Sequence, residues 1–191
     1  MLPRIVSLAL GAALLAGCAT APARFYTLDS TAAPDDAPPA RCAVVVGPVS
    51  VPAAVDRPEF VVQVGPNRVA IDEFNRWAGP LGDAVARTVA ADLAVLLGTP
   101  RVAVAPLANF DPSHRVTLDV QRFESVPNET VLVEAVWVVR RTTGGAARSG
   151  RTVAREPVQG DGLDAFAAAH SRALATVSGD IAAAIRTDGG R

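Results

Sequence analysis

Apolar residues recur along this chain with helical spacing in two places and with alternating spacing in several others. Leu81, Val85, Val89, Leu93, Leu96 and Leu97 lie three or four positions apart, and Asp83, Arg87 and Asp92 are placed off that stripe. Pro80 stands where a first helical turn tolerates proline, and Gly98 and Pro100 stop the run. A second stripe, Leu163, Phe166, His170, Leu174, Val177, Ile181 and Ile185, predicts a long closing helix. Strands are predicted at residues 25–28, at 42–51 with an interruption at Gly47-Pro48, at 60–64 and 69–72 as a hairpin turning at residues 65–68, and at 101–105, 115–121, 130–140 and 149–155. In the longest of these, Val131, Val133, Ala135, Trp137 and Val139 share one face. Val116, Leu118 and Val120 alternate in the same way, but Phe123 falls on the opposite parity, which predicts a bulge near Gln121-Arg122. Two amphipathic helices among mostly consecutive strands give an α+β fold, with both helices packed on one face of a largely antiparallel or mixed sheet.

Residues 31–40, with Pro34, Asp35, Asp36, Pro38 and Pro39, have the composition of a mobile linker or long loop. The expected organisation is therefore residues 1–17 as a leader, 18–41 as an N-terminal segment with the first strand and linker, and 42–187 as a single α+β domain. A length of 191 residues, half of them hydrophobic, supports one substantial core.

Charge narrows the function. The 18 basic residues are all arginine, against 19 acids, for a formal net charge of -1 without any basic block. Nucleic acid is a poor partner for such a chain, because phosphate binding needs a concentrated positive field. The absence of lysine removes Schiff-base and lysine-base chemistry.

Arg4 precedes the uncharged, mostly apolar run at residues 5–15, and small residues lead into Cys18, the pattern of a signal peptide. The run is too short to cross a hydrocarbon core, which takes about 20 helical residues. Leu15-Ala16-Gly17-Cys18 resembles the bacterial lipobox, whose cysteine receives a diacylglyceryl thioether and, after cleavage, an N-acyl chain. Several acyl chains at about 0.8 kcal/mol per buried methylene make a durable anchor. Cys18 is thus the predicted lipid-attachment site. The residue after it is Ala19 and not the Asp that signals inner-membrane retention, so the expected location is the outer membrane, facing the periplasm. A lipidated Cys18 leaves Cys42 as a lone thiol, with a buried core position as the simpler reading.

Catalytic chemistry is sparse. Only His114 and His170 are present, without H-x-x-x-H or C-x-x-C spacing, so no metal is expected. His170 and Ser171 are adjacent on a helix and point about 100° apart, which prevents proton sharing. Gly160-Asp161-Gly162-Leu163-Asp164-Ala165 fits a dinucleotide fingerprint locally, but the polar Arg155-Glu156-Pro157 precedes it where a buried parallel strand belongs. No cofactor and no enzymatic activity are expected.

The informative residues are Val55-Asp56-Arg57-Pro58-Glu59-Phe60-Val61-Val62-Gln63, Asn67-Arg68-Val69, and Asp72-Glu73-Phe74-Asn75-Arg76-Trp77-Ala78-Gly79-Pro80-Leu81. With Phe25-Tyr26-Thr27-Leu28 near the start and residues 170–183 near the end, this pattern resembles the ABC-type transport auxiliary lipoprotein family, the PqiC or YmbA group. The block from Phe74 to Leu81 is the most specific part; Gly79 stands where an acid is common. The resemblance implies an outer-membrane lipoprotein that works with a periplasm-spanning MCE-domain protein and its transporter in moving phospholipid or other hydrophobic molecules. MCE proteins assemble as rings, so a matching ring of copies is an expectation that follows. Arg57, Phe60, Arg76 and Trp77 are the candidate partner-binding residues, since exposed Trp and Arg anchor interfaces. The indole could instead staple the helix start to the sheet. The alternative function is an accessory lipoprotein of another envelope machine, such as a cell-wall synthase activator or an outer-membrane assembly factor.

Overall fold

The computed structural model of the protein describes residues 22–126 and 130–189. Among the described residues there are eight strands and two helices: β1 (Arg24–Tyr26), β2 (Val44–Ser50), β3 (Glu59–Gly65), β4 (Arg68–Trp77), α1 (Leu81–Leu97), β5 (Val102–Val104), β6 (His114–Ser125), β7 (Thr130–Arg141), β8 (Arg148–Pro157) and α2 (Gly162–Gly189). The fold is α+β. Its strands form two sheets, a five-stranded one in the order β5-β2-β6-β7-β8 and a three-stranded one in the order β1-β4-β3. The five-stranded sheet is mixed, because β2 runs parallel to both β5 and β6 while β6, β7 and β8 form an antiparallel meander.

Both helices cover one face of this larger sheet, as their stripes require. Leu81, Val85, Val89, Leu93 and Leu97 of α1 are buried, with α1 lying over β2 and β5. Phe166, His170, Leu174, Val177, Ile181 and Ile185 of α2 are buried over β6, β7 and β8. Beneath them lie the alternating residues Val131, Val133, Ala135, Trp137 and Val139. The Trp137 indole N–H donates to Thr152 Oγ1 at 3.0 Å, and that hydroxyl donates to Asp180 Oδ2 at 2.6 Å, so the buried ring's one polar group is satisfied.

Local irregularities follow the sequence. Gly47-Pro48 shifts the register of β2 against β6 between Val46 and Val49. The β6–β7 register steps between Val120 and Arg122, and the extra residue, Gln121, restores Phe123 to the buried side. Helix α1 ends at Gly98, whose φ of 62° lies in the left-handed region that a terminating residue favours; its N–H donates to the last turn.

Two expectations are corrected, for the hairpin and for Asp92, and the loop predicted at residues 31–40 is observed with added contacts. The hairpin is longer than the apolar pattern shows, with β4 continuing to Trp77 and separating with β3 and β1 into a second sheet. The segment at residues 31–40 is an irregular, mostly exposed loop but is tied to both helices. Ala40 N–H donates to the Leu97 carbonyl at 2.8 Å, and the Arg186 guanidinium donates to the Pro38 carbonyl at 2.7 Å and the Leu96 carbonyl at 2.6 Å. Asp92, placed off the α1 stripe, is fully buried.

Candidate functional site

The block at residues 74–81 joins the small sheet to the large one. An aromatic column begins with Tyr26 edge-on to Phe60 at 5.6 Å, continues with Phe60 stacked on Trp77 at 4.6 Å, and reaches Phe123 edge-on from Trp77 at 6.1 Å. Phe123 of β6 then stacks on His170 of α2 at 3.8 Å. Backbone bonds fix the junction: Trp77 N–H donates to the Pro58 carbonyl at 2.7 Å, and Ala78 N–H donates to the Tyr26 carbonyl at 2.9 Å. Pro80 then starts α1.

The four candidate partner-binding residues divide into two layers. Phe60 is 1% exposed and Trp77 6%, so both side chains are core and hold the junction from beneath. Arg57 and Arg76 stand at the surface, with side chains 41% exposed, on either side of Glu59. Arg57 Nε donates to Glu59 Oε2 at 3.3 Å, and Arg76 Nη2 lies 3.8 Å from Glu59 Oε1. The Glu59 backbone N–H, followed by Arg57 and Arg76, holds its carboxyl below the ordinary carboxylate range. Two depressions flank the ridge at Ala78 and Gly79. One, of about 340 Å³, is bordered by Asp56, Arg57, Pro58, Pro80 and Leu81; the other, of about 390 Å³, by Leu28, Asp29, Arg87, Thr88 and Ala91. A side chain at position 79 would meet nothing within 4 Å, so the packing does not require glycine there. The arrangement offers shape and arginine hydrogen-bond donors to a partner, beside the carboxylates of Asp29, Asp56 and Glu59.

Several polar groups are buried beneath this junction. Ser125 Oγ and His170 Nε2 are 2.8 Å apart, a serine–histidine pair at catalytic distance that sequence adjacency did not reveal. Both residues are buried, and burial pushes the His170 imidazole down to about 3, so it is neutral and shielded from solvent. His170 Nδ1 has no hydrogen-bond partner among the described residues, so no acid orients the ring. Ser171 instead accepts Asp29 N–H at 3.2 Å and donates to the Ala167 carbonyl. Cys42 is buried, and burial pushes its thiol up. Among the described residues no group of three His, Cys, Asp or Glu could hold a metal ion, and no helix is long and apolar enough to cross a membrane. The glycine-rich segment at residues 160–162 follows β8, an antiparallel edge strand, which is the wrong context for a dinucleotide fingerprint.

Asp92 is the site that sequence reasoning missed. Its Oδ1 accepts the Ser30 hydroxyl at 2.7 Å and Ala32 N–H at 3.2 Å, and its Oδ2 accepts the Ser178 hydroxyl at 3.1 Å. Burial raises its pKa despite these donors, so ionising it costs stability. The contribution is fully present below the ordinary carboxylate range and is lost as pH rises through the raised value. Asp92→Asn is therefore expected to match or exceed wild-type stability at pH 7, since an amide can still accept from Ser30 and Ala32 and can donate to Ser178 Oγ. Asp92→Ala, which strands the Ser30 hydroxyl and the Ala32 N–H while Ser178 keeps the Leu174 carbonyl, should lose about 2 kcal/mol or more. Urea unfolding at pH 5 and pH 7 checks both; an Asp92→Asn protein weaker than Asp92→Ala would contradict the assignment.

The sequence profile of the family described as ABC-type transport auxiliary lipoprotein component matches residues 26–182. A crystal structure of an uncharacterised protein superposes with a TM-score of 0.69 at 23% identity, covering 86% of this chain and 99% of the other. Protein XCC0632 from Xanthomonas campestris superposes with a TM-score of 0.71 at 18% identity, covering 88% and 100%. At these identities the two structures establish the fold alone. Among curated proteins no relative matches.

Proposed function

Because the chain belongs to the ABC-type transport auxiliary lipoprotein family, we propose that it is an outer-membrane lipoprotein facing the periplasm, anchored through acyl chains on Cys18. In this reading it is a non-catalytic component of an MCE- and ABC-type system that moves phospholipid or other hydrophobic molecules across the periplasm. The observation that carries the proposal is the family match across residues 26–182, nearly the whole folded chain. The lipobox and Ala19 supply the anchor and its destination; both lie outside the described residues. Arg57 and Arg76 are the proposed contacts to the MCE protein, with Phe60 and Trp77 supporting them from the core, and a ring of copies would match the symmetry of an MCE ring.

Cys18→Ala tests the anchor. The wild type should fractionate with the outer membrane and yield an acylated N-terminal peptide by mass spectrometry. The variant should accumulate as the unprocessed precursor. A Cys18→Ala protein that still reaches the outer membrane with an unchanged mature mass would contradict the proposal.

A further inference from the structure

Five of the seven large apolar side chains exposed among the described residues lie on the three-stranded sheet: Phe25 on β1, Val64 on β3, and Val69, Ile71 and Phe74 on β4. Single exposed apolar residues are ordinary, whereas such a concentration on one small element marks a contact surface. Among the described residues, β4 pairs with β3 along one side, and on the other side only Asn75, Arg76 and Trp77 are paired, with Arg24, Phe25 and Tyr26. Phe74 is pushed outward by an irregularity in which Glu59 faces Arg76 but Phe60 faces Asp72. The Asp72 carboxylate holds that shape, accepting the N–H groups of Phe74 at 3.0 Å and Asn75 at 3.1 Å and the Asn75 side-chain amide at 2.8 Å.

The direction of β1 indicates what covers this surface. β1 is parallel to β4 with Arg24 beside Asn75, so the chain preceding Arg24 leaves on the Phe74 side, toward the β3–β4 turn. Five residues separate Arg24 from Cys18, six steps along the chain with a reach of at most about 20 Å. The stretch of β4 from Asn75 back to Arg68 is about as long, at about 3.3 Å per residue. An acyl anchor on Cys18 therefore keeps the hairpin within its own length of the bilayer. We propose that the β3–β4 hairpin and β1 form a lipid-contacting surface, with Phe25, Val69, Ile71 and Phe74 in the headgroup region of the membrane that holds the Cys18 acyl chains. Arg24 and Arg68, both exposed on the same strands, are the side chains that would reach lipid phosphates, as long basic side chains do at a membrane interface. This surface deepens the lipid-anchor reading and rests on it.

The test uses the mature, detergent-extracted protein reconstituted into vesicles of phosphatidylethanolamine and phosphatidylglycerol, with and without brominated acyl chains. Tryptophan is introduced as Phe74→Trp or, as a control at an exposed position of the other sheet, as Val153→Trp. Circular dichroism first establishes that both variants fold as the wild type, and Ile71→Trp replaces Phe74→Trp if that variant does not. Brominated lipid is expected to quench most of the added hairpin emission and little of the added emission at position 153. Equal quenching at the two positions, with the acylated N-terminal peptide present, overturns the lipid-contacting surface and leaves the anchor standing. An absent acylated peptide overturns the anchor and this surface together. A hairpin that is unquenched while Ile71→Asp dissociates an oligomer means that a second copy, and not lipid, covers it, which also overturns the proposal.

Discussion

The protein is expected to lose stability steeply as pH falls from about 6.5 toward 3, and His170 is the expected cause. Its imidazole is fully buried, stacked on Phe123 and hydrogen-bonded to Ser125, and burial lowers its pKa from 6.5 to about 3. The unfolded chain binds a proton near pH 6.5, which the folded chain refuses until about 3. The stabilisation is therefore complete above pH 6.5 and is lost progressively through that window. A shift of this size corresponds to on the order of 5 kcal/mol, comparable to the whole stability of a marginal domain. His170→Gln removes the titration while its amide can still reach Ser125. It should lower stability at pH 7.5 by losing the stacked ring, yet flatten the dependence on pH. Asp92 contributes with the opposite sign, so the quantity to read is the difference between the wild-type and His170→Gln urea midpoints from pH 7.5 to pH 4. Parallel curves for the two proteins would contradict the assignment.

Trp77→Ala should cost about 3–5 kcal/mol, the range for deleting a large buried aromatic side chain. The indole stacks on Phe60, meets Phe123 edge-on, and closes the junction between the two sheets and the start of α1. A thermal midpoint unchanged from wild type would show that Trp77 does not hold this junction. The consequence for function is direct. Loss of a partner in Trp77→Ala would report a damaged fold, whereas Arg57→Ala and Arg76→Ala lie at the surface and should leave the thermal midpoint close to wild type. Those two variants are the ones that can separate docking from folding.

Much of the fold was legible because its helices and the β6–β7 strands bury one face each, so burial prints a period of 3.6 or 2 on the sequence. The bulge at Gln121 could be read for the same reason: Phe123 broke the parity that burial imposes. The end of β4 could not, because residues 68–74 carry polar and apolar side chains that are all exposed or half-buried, and no face selects a period. Asp92 was misplaced even though it lies three residues after Val89, four before Leu96 and seven after Val85, on the buried side of α1. A stripe drawn from apolar residues alone passes over an acid whose partners, Ser30 and Ser178, are 62 and 86 positions away. Phe60 and Trp77 were ambiguous for a different reason, since aromatic residues serve cores and interfaces equally well and residue type does not report burial. Arg57 and Arg76 needed the fold to bring them to one glutamate.

The central claim, that this family member is the membrane-anchored partner of an MCE-type transport system, is tested most directly by affinity purification of the detergent-extracted wild-type protein from its native envelope. Mass spectrometry of the co-purifying proteins, with Arg57→Ala/Arg76→Ala beside the wild type, gives the readout. The account predicts an MCE-domain protein and its transporter subunits with the wild type, and their depletion with the doubly substituted, fully folded protein. Recovery of a cell-wall synthase or an outer-membrane assembly complex in place of any MCE-domain protein would contradict it.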